Sequence, residues 1–288
     1  MRERETKGAS VRLGGPVFGD DLSPDDWIAA LRRSNFRAAY CPVSADDSDE
    51  RLQSFVEAAR QADIIIAEVG AWSNPLSSCE KERDQALEHC KKSLALAERV
   101  GARCCVNIAG SRGEQWDGPH PMNLSPETFD LIVETVRDII DAVQPRRAFY
   151  TLETMPWIYP DSPDSYLRLL RAIERPQFAV HLDPVNLICS PQRAFDNTNF
   201  LRECFAKLGP YIKSCHAKDI ALAPRLTVHL DEVRPGLGIL DYHTFLSELA
   251  ALDSDAPLML EHLASPEEYD LAAAHIRGVA AASNISMS

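Results

Sequence analysis

Eight short apolar runs, each separated from the next by a longer stretch with helical periodicity, limit what this chain can fold into. They are 11–15, 36–43, 63–71, 104–110, 148–155, 178–185, 212–220 and 257–263. Each is continuously hydrophobic rather than alternating, the pattern of parallel strands covered on both faces. Helix starts are legible at Ser23-Pro24, Ser125-Pro126, Ser162-Pro163, Ser190-Pro191 and Ser265-Pro266. A serine oxygen accepts from the first free N–H groups of a helix, and the fixed φ of proline suits the first helical position. Ser265-Pro266-Glu267-Glu268 reads as a capping box, Asp241 as the cap of a helix over 242–252, and Gly101 as the stop of a helix over 80–100. Strand–helix units repeated without a Gly/Ser-rich linker predict an α/β protein, a single (β/α)8 TIM barrel over residues 10–288 behind a flexible tail, 1–9. An open doubly wound sheet is the alternative, but no G-x-G-x-x-G follows the first strand.

Composition narrows the function classes. The 288 residues are 45% hydrophobic and 25% charged, which excludes a disordered chain. A formal net charge of −13 repels phosphate backbones and anionic lipid, so neither nucleic acid nor a membrane is an expected partner. No apolar run approaches the roughly 20 residues of a membrane helix. The start, MRERETKGAS, lacks the apolar segment of a secretory signal, so a cytoplasmic location is expected. Eight scattered cysteines with no C-x-x-C pair read as reduced thiols in the core.

Chemistry in such barrels sits where strands end. The last four runs finish with Glu153, Asp183, His216 and Glu261. A buried carboxylate must be paired, coordinated or protonated. Three carboxylates and one imidazole on a common rim call for one divalent cation; separate pairing of each with a nearby Arg or Lys is the alternative. Hard oxygens with a single imidazole suit Mn²⁺ first, with Mg²⁺, Co²⁺ or Zn²⁺ also accommodated. Glu68 ends the third run and is a candidate to bind a sugar hydroxyl or act as a further acid or base, with an ion pair as the alternative. Trp72, Trp116 and Trp157 fall in loops above the rim, where indole faces can stack on a sugar. His229 lies in the long seventh loop and could reach a substrate, and Gly236-Leu237-Gly238 is either a loop whose N–H groups hold a phosphate or a hydroxyl or a plain turn before a helix. His181 reads as a core histidine, and His262 as pointing away from Glu261's side of its strand.

The set Glu153, Asp183, His216 and Glu261, within HLDPVN, CHAKDI, PGLGILDY and LMLEHL, resembles the sugar phosphate isomerase/epimerase superfamily, the xylose isomerase-like barrels. The resemblance implies that these four residues bind one divalent metal, and that Glu153 and Glu261 face each other across the substrate as acid and base. The chemistry is coherent: the metal polarises a carbonyl and stabilises the enediolate left when the α-proton departs. Return of a proton to the other face gives epimerisation, and return to the neighbouring carbon gives isomerisation. Two positions depart from the ketose epimerases. Asn186 stands where they have His, and Lys218 is the nearest base after His216 where some have Arg. Both are candidates to hold substrate oxygens. The expected function is a metal-dependent sugar or polyol isomerase or epimerase acting on a small carbohydrate. The alternatives are a lyase or dehydratase of an oxidised keto-sugar, keto-glycoside or keto-inositol, and a non-catalytic sugar-binding subunit. Association into a homo-oligomer is compatible with all three.

Overall fold

The computed structural model describes residues 10–252 and 255–287. The tail expected over 1–9 lies outside the described residues. The barrel strands are β1 (Ser10–Gly15), β2 (Ala38–Tyr40), β3 (Ile65–Gly70), β4 (Cys104–Asn107), β5 (Phe149–Glu153), β6 (Phe178–Leu182), β7 (Ile212–Ala217) and, after an excursion, β10 (Ala256–Leu260). Each pairs in parallel with the next, and β10 pairs with β1 to close a (β/α)8 TIM barrel. All eight apolar runs contribute a barrel strand.

Helices α1 (Pro24–Arg33), α2 (Asp49–Gln61), α3 (Glu80–Val100), α4 (Pro126–Val143), α5 (Pro163–Ile173), α6 (Pro191–Phe195), α7 (Asn197–Leu208), α8 (Tyr242–Ala250) and α9 (Pro266–Ala282) lie between the strands. All five Ser-Pro serines cap as expected, each accepting from the N–H three residues on. The full capping box forms at Ser162 with Ser165 rather than at Ser265. There only the forward bond is made, because Arg234 Nε takes the Glu268 carboxylate at 2.8 Å. Asp241 caps α8, and Gly101 ends α3 in the left-handed region at φ 71°. All eight cysteines are free thiols. Among the described residues no helix is long and apolar enough to cross a membrane.

The main core lies between sheet and helices, and a small second cluster of Ala38, Ala67 and Met259, with Tyr40 and Ile65 against it, fills the barrel. Two irregularities retune which side chains face inward. On β3, Ala39 pairs with Ile66 but Tyr40 pairs with Glu68, so Ala67 is an extra residue. On β7, Val180 pairs with Ile212 but His181 pairs with Ser214, so Lys213 is extra. An extra residue shifts the in–out phase of everything after it. Glu68 thereby joins Ala67 on the inner side, while Val69 packs outward. Between β5 and β6 the buried Tyr166 hydroxyl donates toward Leu152 O (2.6 Å) and Ala179 O (2.9 Å) and accepts from Leu152 N (3.1 Å).

The run 212–220 does not remain one strand. After Lys218 the chain leaves the barrel as β8 (Asp219–Ala223), which pairs antiparallel with β9 (His229–Val233). The buried Asp219 carboxylate accepts from the N–H groups of Ile220 (2.8 Å), Gly236 (2.9 Å), Gly238 (3.0 Å) and Leu240 (2.9 Å). A Cβ on Gly238 would lie 2.2 Å from Asp219 Oδ1, so only glycine fits. The glycine loop N–H groups are therefore spent inside the protein and do not form the expected phosphate or hydroxyl cradle.

Candidate metal centre

Four strand ends deliver the rim residues to one point. Glu153 is the last residue of β5, Asp183 follows β6, His216 is the penultimate residue of β7 and Glu261 follows β10. One ligand atom from each lies within 4.8 Å of all the others. His216 Nδ1 is 2.8 Å from Glu261 Oε1 and 3.3 Å from Glu153 Oε1. Asp183 divides its work: Oδ1 accepts from Val185 N at 2.9 Å, and Oδ2 faces the centre. Thr154 Oγ1 donates to Asp183 O at 2.6 Å and accepts from Asp183 N at 3.1 Å, locking β5 to β6 beside both carboxylates.

Lys218 extends into the same point. Its Nζ lies 2.6 Å from Glu261 Oε1, 2.8 Å from Asp183 Oδ2 and 3.6 Å from Glu153 Oε1. Asn186 bridges the group, donating from Nδ2 to Glu153 Oε1 at 3.0 Å and accepting from Lys218 Nζ at 3.5 Å. Burial raises the Asp183 pKa to about 6 because Glu153 and Glu261 oppose what Lys218 offers. Burial has the same tendency at Glu153 and Glu261, but His216 outweighs it and holds both below the usual carboxylate range. Burial would lower His216 and Lys218; the surrounding carboxylates, Glu261 foremost for the imidazole and Asp183 for the ammonium, hold both above their ordinary values.

The donor set fits a divalent cation. Asp183 Oδ2 and Glu261 Oε1 are buried without a hydrogen bond of good geometry, although Lys218 and His216 are close. Four buried carboxylates (Glu68, Glu153, Asp183, Glu261) face two cationic side chains, Lys218 and His216, leaving negative charge unmatched in a low-dielectric site. Three carboxylate oxygens and one imidazole nitrogen are a donor set for Mn²⁺, Mg²⁺ or Co²⁺.

Above the centre opens a cavity of about 450 Å³. Trp72, Trp116, Trp157, Asn186 and Lys218 all line it, beside Glu153 and Glu261. A Cβ on Gly70 would lie 2.5 Å from Trp72 Nε1, so the glycine lets this indole lie over the end of β3. Trp157 Nε1 donates to Asp117 O at 2.7 Å and joins the loops after β4 and β5.

Two expected substrate contacts are placed elsewhere. Glu68 is 1% exposed and lies beneath His216, outside the cavity wall. His229 opens β9 and does not line the cavity; Glu232, three residues on, does. His262 also differs from expectation. The chain turns left-handed there, at φ 57°, after β10 has ended, and brings the ring to the mouth, where Nδ1 lies 3.3 Å from Glu232 Oε1. Tyr40, Asp117, Met155 and Tyr269 complete the wall and carried no motif to announce them. Only the inward parity of β2 could have indicated Tyr40.

A closed parallel barrel with a carboxylate–imidazole centre at the C-terminal mouth defines the class. The model of the xylose isomerase-like TIM barrel family matches residues 28–279, and the chain belongs to that family. No curated protein sequence matches the chain. Among solved structures it is similar to a xylose isomerase-like TIM barrel protein from Mycobacterium smegmatis in complex with magnesium: 17% identity, TM-score 0.66, covering 93% of this chain and 95% of that one. It is similar to a 3-keto-D-glucoside 4-epimerase from E. coli: 15% identity, TM-score 0.67, covering 93% and 100%. It is also similar to the probable 3-DHS dehydratase of petrobactin synthesis from Bacillus anthracis: 16% identity, TM-score 0.67, covering 92% and 97%.

Proposed function

We propose that this protein is a divalent-metal-dependent isomerase or epimerase of an uncharged sugar or polyol. The observation that carries the reading is the convergence of Glu153, Asp183, His216 and Glu261 within 4.8 Å at the floor of the cavity. A cation held there would polarise a substrate carbonyl and offset the charge formed when the adjacent proton leaves. Its identity, Mn²⁺ foremost, follows from the donor set; the magnesium in the mycobacterial structure is consistent with a hard ion.

The chain's own residues supply the proton chemistry. Glu153 accepts from the Asn186 amide at 3.0 Å with the Lys218 ammonium 3.6 Å away; Glu261 has that ammonium at 2.6 Å. Two carboxylates in unlike surroundings differ in basicity, which separates acceptor from donor. Glu153 takes the proton next to the carbonyl, the C–H electron pair moves toward the carbonyl carbon, and Glu261 relays a proton to the other side, drawn from the Lys218 ammonium 2.6 Å from its Oε1. One proton is gained and one lost, so substrate and product have equal mass. Lys218 and Asn186 donate to substrate oxygens, and the three indoles cover the sugar face and exclude water. Among the described cavity residues there is no arginine, and Asp117, Glu153, Glu232 and Glu261 outnumber Lys218 and His262, so a phosphorylated substrate would be repelled.

A second reading uses the same site as a lyase on a keto-sugar, with expulsion of a β-substituent in place of reprotonation. It is favoured by Lys218, an ammonium 2.6 Å from Glu261 Oε1 that can protonate a leaving oxygen, and by the likeness to a probable dehydratase. Metal analysis of purified protein, with His216→Ala beside it, tests the centre: about one equivalent of metal, lost in the variant, is expected. Deuterium incorporation from D₂O into a panel of keto-sugars then tests proton abstraction, and product mass separates isomerase from lyase. Near-normal turnover by Glu261→Gln would falsify the two-carboxylate mechanism.

A further inference from the structure

The cavity has two unlike sides, and they come from different parts of the barrel. The loops after β3, β4 and β5 give it Trp72, Ile108, Trp116, Met155, Pro156 and Trp157. The chain from β6 onward gives it Asn186, Lys218, Glu232, Glu261 and His262. Glu153, at the end of β5, stands at the seam. We propose that the substrate is a conjugate: an uncharged sugar or polyol on the polar side, carrying an aromatic aglycone that lies against the indoles. The inference deepens the function proposed above and rests on it for the sugar half.

Size gives the first argument. At roughly 30 Å³ for each molecule of liquid water, 450 Å³ is the space of about fifteen waters, and a hexose displaces about six. A monosaccharide seated at the metal centre therefore leaves more than half of the cavity unfilled. Hydrogen bonding gives the second. A buried hydroxyl needs a partner. The polar side offers an amide, an ammonium and carboxylates. On the other side Ile108 and Pro156 have nothing to donate or accept from their side chains. Trp157 Nε1 is already given to Asp117 O at 2.7 Å, and the Asp117 carboxylate takes Gln115 Nε2 at 2.9 Å. A second sugar ring there would bury hydroxyls without partners; a hydrocarbon ring would not. Exposure gives the third. Trp72, Trp116 and Trp157 are 42%, 39% and 38% exposed, three large apolar side chains left open around one mouth. They stand on three separate loops, more indole than one sugar face can meet, and indoles pack well on other aromatic rings. Two are held in advance, Trp72 over Gly70 and Trp157 by Asp117 O, so little ordering is needed when a ring arrives.

Isothermal titration of the full chain with 2-naphthol, a neutral aromatic probe, tests the aglycone side without a guess about the sugar. Saturable binding of one equivalent is expected. Trp72→Ala should weaken it about tenfold or more, and Trp72→Phe should recover most of the loss. Melting temperatures close to the parent's show that both variants are folded. No saturable binding, or the same affinity in a folded Trp72→Ala, overturns the proposal. Concentration-dependent dimerisation that Trp72→Ala abolishes, with no 2-naphthol bound, would assign the indoles to a second copy of the chain and overturn it as well. The second arm runs the D₂O exchange on each keto-sugar of the panel and on its 2-naphthyl glycoside. A kcat/KM at least about tenfold higher for the glycoside is expected; equal values overturn the proposal. Absence of Mn²⁺ binding, or of exchange with either member of every pair, would defeat the function proposed above, while 2-naphthol binding and its dependence on Trp72 would still decide the aglycone side.

Discussion

The Lys218 ammonium lies 2.8 Å from Asp183 Oδ2, and both side chains are buried to within 2% of complete. The pair sits where three strand-end carboxylates converge, so Lys218 supplies positive charge to the same oxygens a metal would use. Replacing Lys218 by Met leaves those carboxylates facing one another. The metal-free variant is expected to lose about 3–5 kcal/mol, the usual consequence of orphaning a buried charge. Mn²⁺ should restore much of that loss, because a cation answers the same repulsion. Thermal melts with and without Mn²⁺ check this; a variant as stable as the parent without metal would contradict it.

The raised pKa of Asp183 sets a pH window for metal uptake. Its carboxyl titrates at about 6, and only the ionised form can ligate. Through this group Mn²⁺ affinity should fall as pH drops through 6, by up to about tenfold for each further unit, while proton loss from His216, held above its ordinary value, makes affinity rise further above pH 6. The sign follows from competition: protons and metal seek the same oxygen. EPR titration of free Mn²⁺ at pH 5 and pH 7.5 reads the difference, and equal affinity at both would count against Asp183 as a ligand.

Tyr166 holds together the two strands that carry Glu153 and Asp183. Its hydroxyl is buried between Leu152 O, Leu152 N and Ala179 O. Tyr166→Phe leaves those main-chain groups without their partner at an otherwise unchanged shape, so a loss of about 1–3 kcal/mol is expected. Urea denaturation, followed by a shift in midpoint at constant slope, is the measurement.

Trp157 Nε1 holds the loop after β4 through Asp117 O. Arg112 lies in that loop and is a trypsin site near the bond. Trp157→Ala should speed cleavage after Arg112 severalfold while leaving the melting temperature within a few degrees, since the removed bond contributes about 1 kcal/mol. Cleavage at the wild-type rate would show that the loop is held by other contacts.

Much of the barrel is legible because its strands and caps are local signals. An apolar run, a serine and a proline need no knowledge of the rest of the chain. The four rim residues are legible for the same reason: each directly follows an apolar run, and parity puts them on one side. What escapes is everything that breaks parity. Glu68 is left open between substrate contact and ion pair because Ala67 is an extra residue in β3, and nothing in ADIIIAEVG marks a bulge. His262 is misread because alternation was carried past the end of β10 into a left-handed turn. His229 is singled out and Glu232 goes unremarked because a hairpin's tilt above a barrel is tertiary. The choice between cradle and turn for the glycine loop is not legible because its N–H acceptor, Asp219, lies 17 residues away in sequence from Gly236 and 19 from Gly238.

Asp219 also separates what must stay from what can change. It is the residue after Lys218, and its carboxylate ties the returning chain at Gly236, Gly238 and Leu240. The 16 residues from Ile220 to Pro235 are thus a closed excursion whose two ends are fixed by one side chain. Exchanging the excursion while keeping Asp219, Gly236 and Gly238 is expected to leave the four rim residues in place, and Glu232 within it reaches the cavity mouth. On the function proposed above, the excursion is a cassette in which a substrate preference would be rewritten while the four rim residues stay as they are.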